Sequence, residues 1–332
     1  MPSYRKEDAP YADIRAVGLP RALMYHRFAP AWTAFFEALG RRVVTSPHSN
    51  RALLERGEAR SVDECCLASK LFMGHVESLI GACDAIFVPS LVDLGRLQGF
   101  CTKYQALPDL VRNTFAEERP RIVSCLVETA SSKKGPENAF IGLALDFGAT
   151  KSEAKHAVKE ARKALEQAEH DAAERLESQL RRVEQRRKAG DGQALAILVL
   201  AHPYVAADPL IGASVVESLE TLGATALLAS DFDRKRALKK SEGFSSTMPW
   251  LINRELIGAA LCLHDRIDGI VLVSAFPCGP DSMTNDMAAR HISGKPLLSL
   301  TVDAQSGTAG LETRVESFVD ILRYRKKGGY LR

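Results

Sequence analysis

Residues 269–282 read GIVLVSAFPCGPDS, and this stretch decides how the chain folds. Gly269 to Val273 is a continuous apolar run, which is typical of a strand buried on both faces. Two prolines and a glycine then mark a turn, and a helix is predicted from about Met283. A buried strand, a turn and a helix in this order predict one repeat of a parallel sheet with helices on both faces.

The same succession recurs along the chain in two halves. Four short apolar runs in each half predict strands, and helical stretches with apolar residues at spacings of three and four separate them. The predicted strands lie at 16–20, 42–45, 85–89 and 122–127, and at 195–200, 225–229, 269–273 and 297–302. We therefore predict an α/β fold with two doubly wound, Rossmann-like parallel-sheet domains, although the halves show no sequence repeat.

A long charged segment lies between the halves. Residues 151–188 carry apolar residues such as Leu165, Leu176 and Leu180 at spacings of three or four, which predicts one narrow apolar stripe on a helix. A helix or hairpin packed along the domains is the simpler interpretation, and an intermolecular coiled coil is the alternative. We expect an N-terminal domain at 14–150, a helical connector at 151–192 and a C-terminal domain at 193–325.

Composition excludes several classes of protein. The chain has 332 residues, of which 46% are hydrophobic and 26% charged, so it can bury real cores. Its net charge of +3, without a basic stripe, does not indicate nucleic-acid binding. No apolar run is long enough to span a membrane, and the first residues lack the apolar core of a signal peptide. We expect a cytoplasmic protein. The sequence contains neither a P-loop nor a G-x-G-x-x-G motif for nucleotide binding.

Six of the seven cysteines fall into two groups, and the seventh, Cys65, stands beside Cys66. The odd number and irregular spacing of the cysteines argue against a disulfide framework. Cys83, Cys125 and Cys262 lie in or beside apolar stretches, and we expect them to pack as small core residues.

Cys66, Cys101 and Cys278 have a different setting. Cys278 follows a strand and precedes a helix, Cys101 lies in the loop after another strand, and Cys66 lies near a helix start. Ligands bind at the carboxyl ends of parallel strands, and a helix N-terminus favours the thiolate that binds metals. Three interpretations remain open from the residues alone: packing, zinc with His75 or His291 as a further ligand, or one iron–sulfur cubane held by three thiolates.

Motifs spread over residues 14–323 are more specific. They are GLPRAL at 18–23, WTAFFEALG at 32–40, ECCLASK at 64–70 followed by Gly74-His75, Cys101 with Gln105 and Pro108, HPY at 202–204 followed by Asp208-Pro209, CGPDS at 278–282, and DAQSG at 303–307 followed by Thr313-Arg314. In this combination the chain resembles the 2-hydroxyacyl-CoA dehydratase and double-cubane-cluster reductase superfamily. It looks most similar to the acyl-CoA dehydratase activase-related proteins of the 2-hydroxyglutaryl-CoA dehydratase D-component type.

The resemblance implies a cofactor and a partner. Cys66, Cys101 and Cys278 would bind a [4Fe–4S] cluster between the two domains, and a double cubane would need more thiolates. An ATP-hydrolysing activase would supply one low-potential electron to the cluster. In the dehydratases of the superfamily this electron passes to a 2-hydroxyacyl-CoA thioester, which then loses water. The chain would thus be a dehydratase-like lyase or an iron–sulfur reductase, and related proteins pair two such subunits as homo- or heterodimers.

The resemblance also implies further residues near the cluster or substrate. They are Lys70, His75, Tyr204, Ser282 and Arg314. Structural roles are the alternatives: a hydrogen-bonded His75, Ser282 as a helix N-cap, and Arg314 in an ion pair with Glu316.

The chain departs from the superfamily's pattern at three places. Ala68 and Thr102 each stand where the pattern has a proline, and His202 replaces an arginine. Cys65, which stands beside Cys66, is an alternative ligand. Two other functions stay open: a non-catalytic iron–sulfur module for electron transfer or regulation, and an α/β binding protein without a cluster.

Overall fold

The computed structural model describes residues 9–129 and 136–326, so part of the polar N-terminus lies outside it. The described chain forms two compact units. Unit 1 comprises residues up to 63 together with 69–168 and 249–251, and unit 2 comprises 64–68, 169–248 and the residues from 252 onward. The expected boundaries at 14–150, 151–192 and 193–325 stay a prediction.

Unit 1 is built on a parallel sheet of four short strands. The strands of this half are β1 (Ala16–Leu19), β2 (Arg42–Thr45), β3 (Ala85–Phe87), β4 (Ser90–Leu91), β5 (Ile122–Val123) and β6 (Leu126–Val127). The four-stranded sheet has the order β2-β1-β3-β5, and β4 pairs with β6 in a separate parallel pair. All four residues of β1 are buried, which is expected for the central strand of a sheet covered on both faces.

Helices cover this first sheet. They are α1 (Tyr25–Ala38), α2 (Arg51–Ala59), α3 (Leu67–Leu79), α4 (Thr102–Thr114) and α5 (Glu137–Asp146). Aromatic side chains form the centre of the core, since the rings of Trp32 and Phe36 pack edge-on against Phe87 with centroids 5.3 and 5.1 Å away. The apolar residues of β1 and β3 therefore meet the apolar face of α1.

Unit 2 repeats the strand order. Its strands are β7 (Ala196–Leu200), β8 (Thr225–Leu228), β9 (Gly269–Ala275) and β10 (Leu297–Val302). They form a parallel sheet in the order β10-β9-β7-β8. Counted from its own first strand, each sheet has the order 2-1-3-4, with the second strand on one side of the first and the third strand on the other. The predicted α/β fold with two parallel sheets is confirmed.

The helices of the second half include the long charged one. They are α6 (Lys151–Lys188), α7 (Pro203–Ala206), α8 (Ala213–Thr221), α9 (Arg234–Ser241), α10 (Leu251–Leu263), α11 (Gly279–His291) and α12 (Thr308–Lys326). α6 is one continuous helix of 38 residues rather than a hairpin. Leu176, Leu180 and Val183 on its apolar stripe are buried in unit 2. Among the described helices, none is long and apolar enough to cross a membrane.

The strand at 122–127 and the start of α11 differ from the sequence-based expectation. The apolar run 122–127 is not one strand, because it is divided into β5 and β6, and the carbonyl between them at Cys125 accepts from Ser90 N–H at 2.9 Å. α11 begins at Gly279 instead of near Met283, since proline is well suited to the first turn of a helix and Pro280 occupies it.

Candidate functional site

Cys278 lies between the end of β9 and the start of α11, at the carboxyl edge of the second sheet. It is the N-cap residue of α11, and its backbone N–H donates to the Ala275 carbonyl at 2.9 Å. Burial raises the pKa of its thiol, and the negative charges of Asp281 and Cys66 raise the pKa further. The Asp281 backbone N–H donates to the sulfur and acts in the opposite direction. The Cys278 side chain is half-buried, so part of its surface is still accessible from solvent.

Cys66 is brought to the same place by a short segment of the first half of the chain. Residues 64–68 cluster with unit 2, and the backbone N–H of Leu67 donates to the Phe276 carbonyl at 2.8 Å. Cys66 immediately precedes α3, as Cys278 precedes α11. Two half-buried thiols therefore lie near each other within unit 2, each before a helix N-terminus. Cys65 is the next residue toward the N-terminus and is also half-buried.

The remaining cysteines have other surroundings. Cys101 belongs to unit 1 and is the N-cap residue of α4, where its carbonyl accepts from Tyr104 N–H at 2.9 Å. Cys83 packs against Gly18, at which a Cβ atom would lie 2.6 Å from the Cys83 sulfur. Burial raises the pKa of Cys83, and it raises that of Cys125 to about 12. All seven cysteines are free and half-buried.

A buried polar network lies beside Cys278 at the ends of β7 and β9. His202 Nδ1 is hydrogen-bonded to the Tyr204 hydroxyl, and His202 Nε2 lies 3.2 Å from the carboxylate of Asp281 and 3.2 Å from the Asn253 side chain. Asn253 Nδ2 donates to the same carboxylate at 2.9 Å. All four side chains are buried, so the carboxylate depends on these directed partners. His202 thus supplies a basic group at the position where the resemblance has an arginine.

The other predicted site residues are distributed over both units. Lys70 and His75 lie on α3 in unit 1. The Ser282 hydroxyl donates to the Cys278 carbonyl at 2.8 Å in the first turn of α11, so Ser282 is not the N-cap of that helix. Arg314 is exposed on α12, and its guanidinium donates to the Ser299 carbonyl of β10 at 2.7 Å. Tyr204 is the only one of the five within the network described above.

His75 is fully buried between two serines that follow β2. Its Nδ1 lies 2.8 Å from the Ser46 hydroxyl and its Nε2 lies 2.9 Å from the Ser49 hydroxyl. Ser46 already accepts from the Arg21 backbone N–H at 2.7 Å, and within residues 9–129 and 136–326 its own proton has no acceptor except His75 Nδ1. We infer that Ser46 donates to Nδ1 and that Nε2 carries the ring proton. Burial lowers the pKa of His75 to about 4, which agrees with a neutral ring.

Sequence reasoning missed Asn253 and the two serines. One signal pointed to Asn253: Asn253, Arg254 and Glu255 are consecutive polar residues in the otherwise apolar helix α10, and all three are buried. A buried polar residue requires a partner, so such a triplet marks a network. The serines carry no comparable signal, because Ser46 and Ser49 occur in a polar loop between Thr45 and α2.

The donor atoms fit an iron–sulfur cluster in their chemistry. Thiolates are the ligands that such clusters take, and hydrogen bonds to the sulfurs tune them. Cys66 and Cys278 provide two half-buried thiols in unit 2, and the Asp281 N–H already points at one sulfur. In the part of the chain that the structure describes, no group of three or more His, Cys, Asp or Glu side chains is arranged to hold a metal ion.

Comparison with known proteins identifies a family for the chain. A search of curated proteins finds no match for the chain. The model of the family described as "CoA enzyme activase uncharacterised domain" matches residues 16–231, which extend from β1 to the 3₁₀ turn after β8 and make up well over half of the chain. The chain belongs to this CoA enzyme activase-related family.

Proposed function

We propose that the chain is the [4Fe–4S]-binding component of an ATP-dependent reductase or dehydratase system. One observation carries the proposal: Cys66 and Cys278, far apart in sequence, lie near each other before two helix N-termini within unit 2. Because the pKa of the metal-free Cys278 thiol is raised, this thiol would lose its proton only as iron binds, as metal ligands do. In the proposal, Cys101, which likewise precedes a helix, is the third ligand.

Each nearby residue has a separate task in this proposal. Cys66 and Cys278 hold iron, and the Asp281 N–H stabilises charge on the Cys278 sulfur. Asn253 and His202 fix the Asp281 carboxylate, so the first turn of α11 keeps one conformation. The bound cluster would supply a one-electron carrier with an open iron that acts as a Lewis acid.

The family supports the identity of the partner. A CoA enzyme activase-related domain suggests a role beside an activase in a CoA-dehydratase system. We propose that an ATP-hydrolysing activase reduces this chain and that the substrate is a small molecule, with a 2-hydroxyacyl-CoA as the leading candidate. The chain itself carries no P-loop, which agrees with ATP hydrolysis on a separate protein.

Iron binding is the direct test. The chain is reconstituted anaerobically with iron and sulfide, and bound iron, acid-labile sulfide and the visible charge-transfer absorbance are measured. C66A, C101A and C278A should each lose most of the bound iron, whereas the matched controls C83A and C262A should retain it. If a triple variant lacking Cys66, Cys101 and Cys278 retains the iron of the wild type, the ligand assignment is wrong.

A turnover assay distinguishes a catalytic cluster-binding component from a non-catalytic module for electron transfer or regulation. The reconstituted chain is mixed with an activase, ATP, a reductant and a 2-hydroxyacyl-CoA, and dehydration of the thioester is followed. Product formation that depends on Cys66 and Cys278 supports a catalytic component. Reduction of the cluster without turnover of this or other reducible thioesters supports instead an electron-transfer or regulatory module.

A further inference from the structure

Unit 1 carries a cluster of basic side chains where β1 and β2 end. Arg21 follows β1 in the GLPRAL motif, and His48 follows β2. His26 lies at the start of α1, and His75 on α3 contacts Ser46 in the loop after β2. The carboxyl edge of an open parallel sheet is where such folds bind ligands. The cysteine site of unit 2 makes no use of these residues.

The Arg21 side chain is held in place by uncharged groups. Its Nε donates to the Ser46 carbonyl at 3.2 Å, and one terminal nitrogen donates to the Thr45 hydroxyl at 3.1 Å. The other terminal nitrogen lies 3.4 Å from His48 Nε2. Among the described residues, no carboxylate forms an ion pair with Arg21. An arginine has more N–H donors than these three contacts use, so a positioned guanidinium retains donors and an uncompensated charge.

Two buried histidines lie within the electrostatic field of Arg21. The charges of Arg21 and His48 lower the pKa of His75 and of His26, and for both rings the main cause is burial. The pKa of each ring is about 4. His26 Nε2 is buried and has no hydrogen-bond partner within the described chain. Because both rings are neutral at pH 7, they do not compensate the charge of Arg21.

Two further donors face solvent beside Arg21. Thr45 and His48 are exposed. Because a guanidinium nitrogen can only donate, His48 Nε2 is the acceptor in their contact, and its Nδ1 carries the proton in the neutral ring. A hydroxyl, an imidazole N–H and a guanidinium thus lie at one small surface. Donors of three kinds suit a tetrahedral anion with several acceptor oxygens better than a planar carboxylate with two.

We propose that Arg21, Thr45 and His48 form a binding site for a phosphoryl group, either free phosphate or a phosphate carried by a nucleotide-type molecule such as CoA. The buried residues Ser46 and His75 position the site, since hydrogen bonds join His75 to Ser46 and Ser46 to the Arg21 backbone. This proposal does not depend on iron or on the cysteines.

Calorimetric titration of the full chain with inorganic phosphate, with CoA and with acetate tests the site. The wild type should bind phosphate saturably and acetate more weakly. R21Q should weaken phosphate binding roughly tenfold to a hundredfold, as expected when a charge-assisted hydrogen bond is lost. H48A leaves the buried contacts intact and should weaken binding about threefold to tenfold. R112Q, which removes an exposed charge paired with Asp109 on α4, should bind as the wild type does.

Competition identifies the source of the phosphoryl group. If CoA displaces phosphate and binds more tightly, the ligand is a phosphorylated molecule, and if CoA does not compete, it is free phosphate. Either result supports the site. Absence of phosphate binding by the wild type, or equal binding by R21Q and R112Q, would overturn the proposal. Because the titration needs no iron, these outcomes are independent of the iron content measured for the cysteine variants.

Discussion

Asp281 shows what a single buried carboxylate requires. It is almost fully buried, accepts from Asn253 and faces His202, so removing it takes one partner from each of two buried polar side chains. We expect D281A to lower the free energy of unfolding of the metal-free chain by about 3 kcal/mol. Asp286 lies on the same helix, is exposed and pairs with the equally exposed Arg290, so D286A should cost about 0.5 kcal/mol or less. Urea unfolding of both variants measures the difference, and equal effects would show that the network carries no stability.

His75 makes stability depend on pH. Its pKa is lowered from 6.5 to about 4 in the folded chain, chiefly by burial, so the unfolded chain binds a proton more readily than the folded one between these values. The contribution of His75 to the free energy of unfolding should therefore be fully present above pH 6.5. It should decrease as the pH falls toward 4, by on the order of 3 kcal/mol.

Comparison with H75Q isolates this contribution. His26, whose pKa is also lowered to about 4, stays in the variant, so part of the pH dependence should remain. Urea midpoints measured at several pH values should fall more steeply for the wild type than for H75Q. Identical slopes would mean that His75 is not the neutral buried histidine of the structure.

At the scale of elements, close helix crossings depend on glycine. A Cβ on Gly74 of α3 would lie 2.0 Å from the Leu53 carbonyl of α2, and a Cβ on Gly258 of α10 would lie 1.8 Å from the Ala237 carbonyl of α9. Backbone atoms cannot move aside as flexible side chains do. The glycine of the Gly74-His75 motif thus has a packing reason that is independent of any ligand.

Alanine substitution tests these crossings. G74A and G258A should each destabilise the chain by about 2–3 kcal/mol, because the helices must separate. G142A on α5 is the matched control: a Cβ at this position would have nothing within 4 Å, and alanine favours a helix over glycine by roughly 0.5–1 kcal/mol. Thermal unfolding should shift downward for the first two variants and upward for the control. A neutral G74A would show that α2 and α3 are less closely packed.

Local patterns predicted the elements that are apolar and regular. β10 (Leu297–Val302) has the predicted bounds, since it is a short, mostly apolar segment with clear ends. α4 was not predicted, because Pro108 lies inside it and proline normally argues against a helix interior. There Pro108 is buried beside Leu107, so packing outweighs the lost hydrogen bond.

At the scale of the whole molecule, the cysteine pair depends on how the chain is divided between its units. Residues 64–68 precede most of α3 in sequence, yet they cluster with unit 2 through contacts such as Leu67 N–H to the Phe276 carbonyl. Spacing alone could not reveal this, because the contact joins residues in different halves of the sequence. The settings of Cys66 and Cys278 at helix starts were predictable from local motifs, whereas their proximity required the fold.

Mild oxidation of the metal-free chain tests this proximity and decides between Cys65 and Cys66. The charge of Cys66 raises the pKa of the Cys278 thiol, so the two sulfur atoms lie close together. These two cysteines should therefore form a disulfide before any other pair, and peptide mass spectrometry detects it. C65S should leave this cross-link unchanged and C66S should abolish it, while C262S serves as a control for general thiol oxidation. A cross-link that survives in C66S and disappears in C65S would make Cys65 the partner of Cys278. In that case Cys65 would replace Cys66 as the proposed ligand, because only the residue that lies close to Cys278 can share a metal site with it.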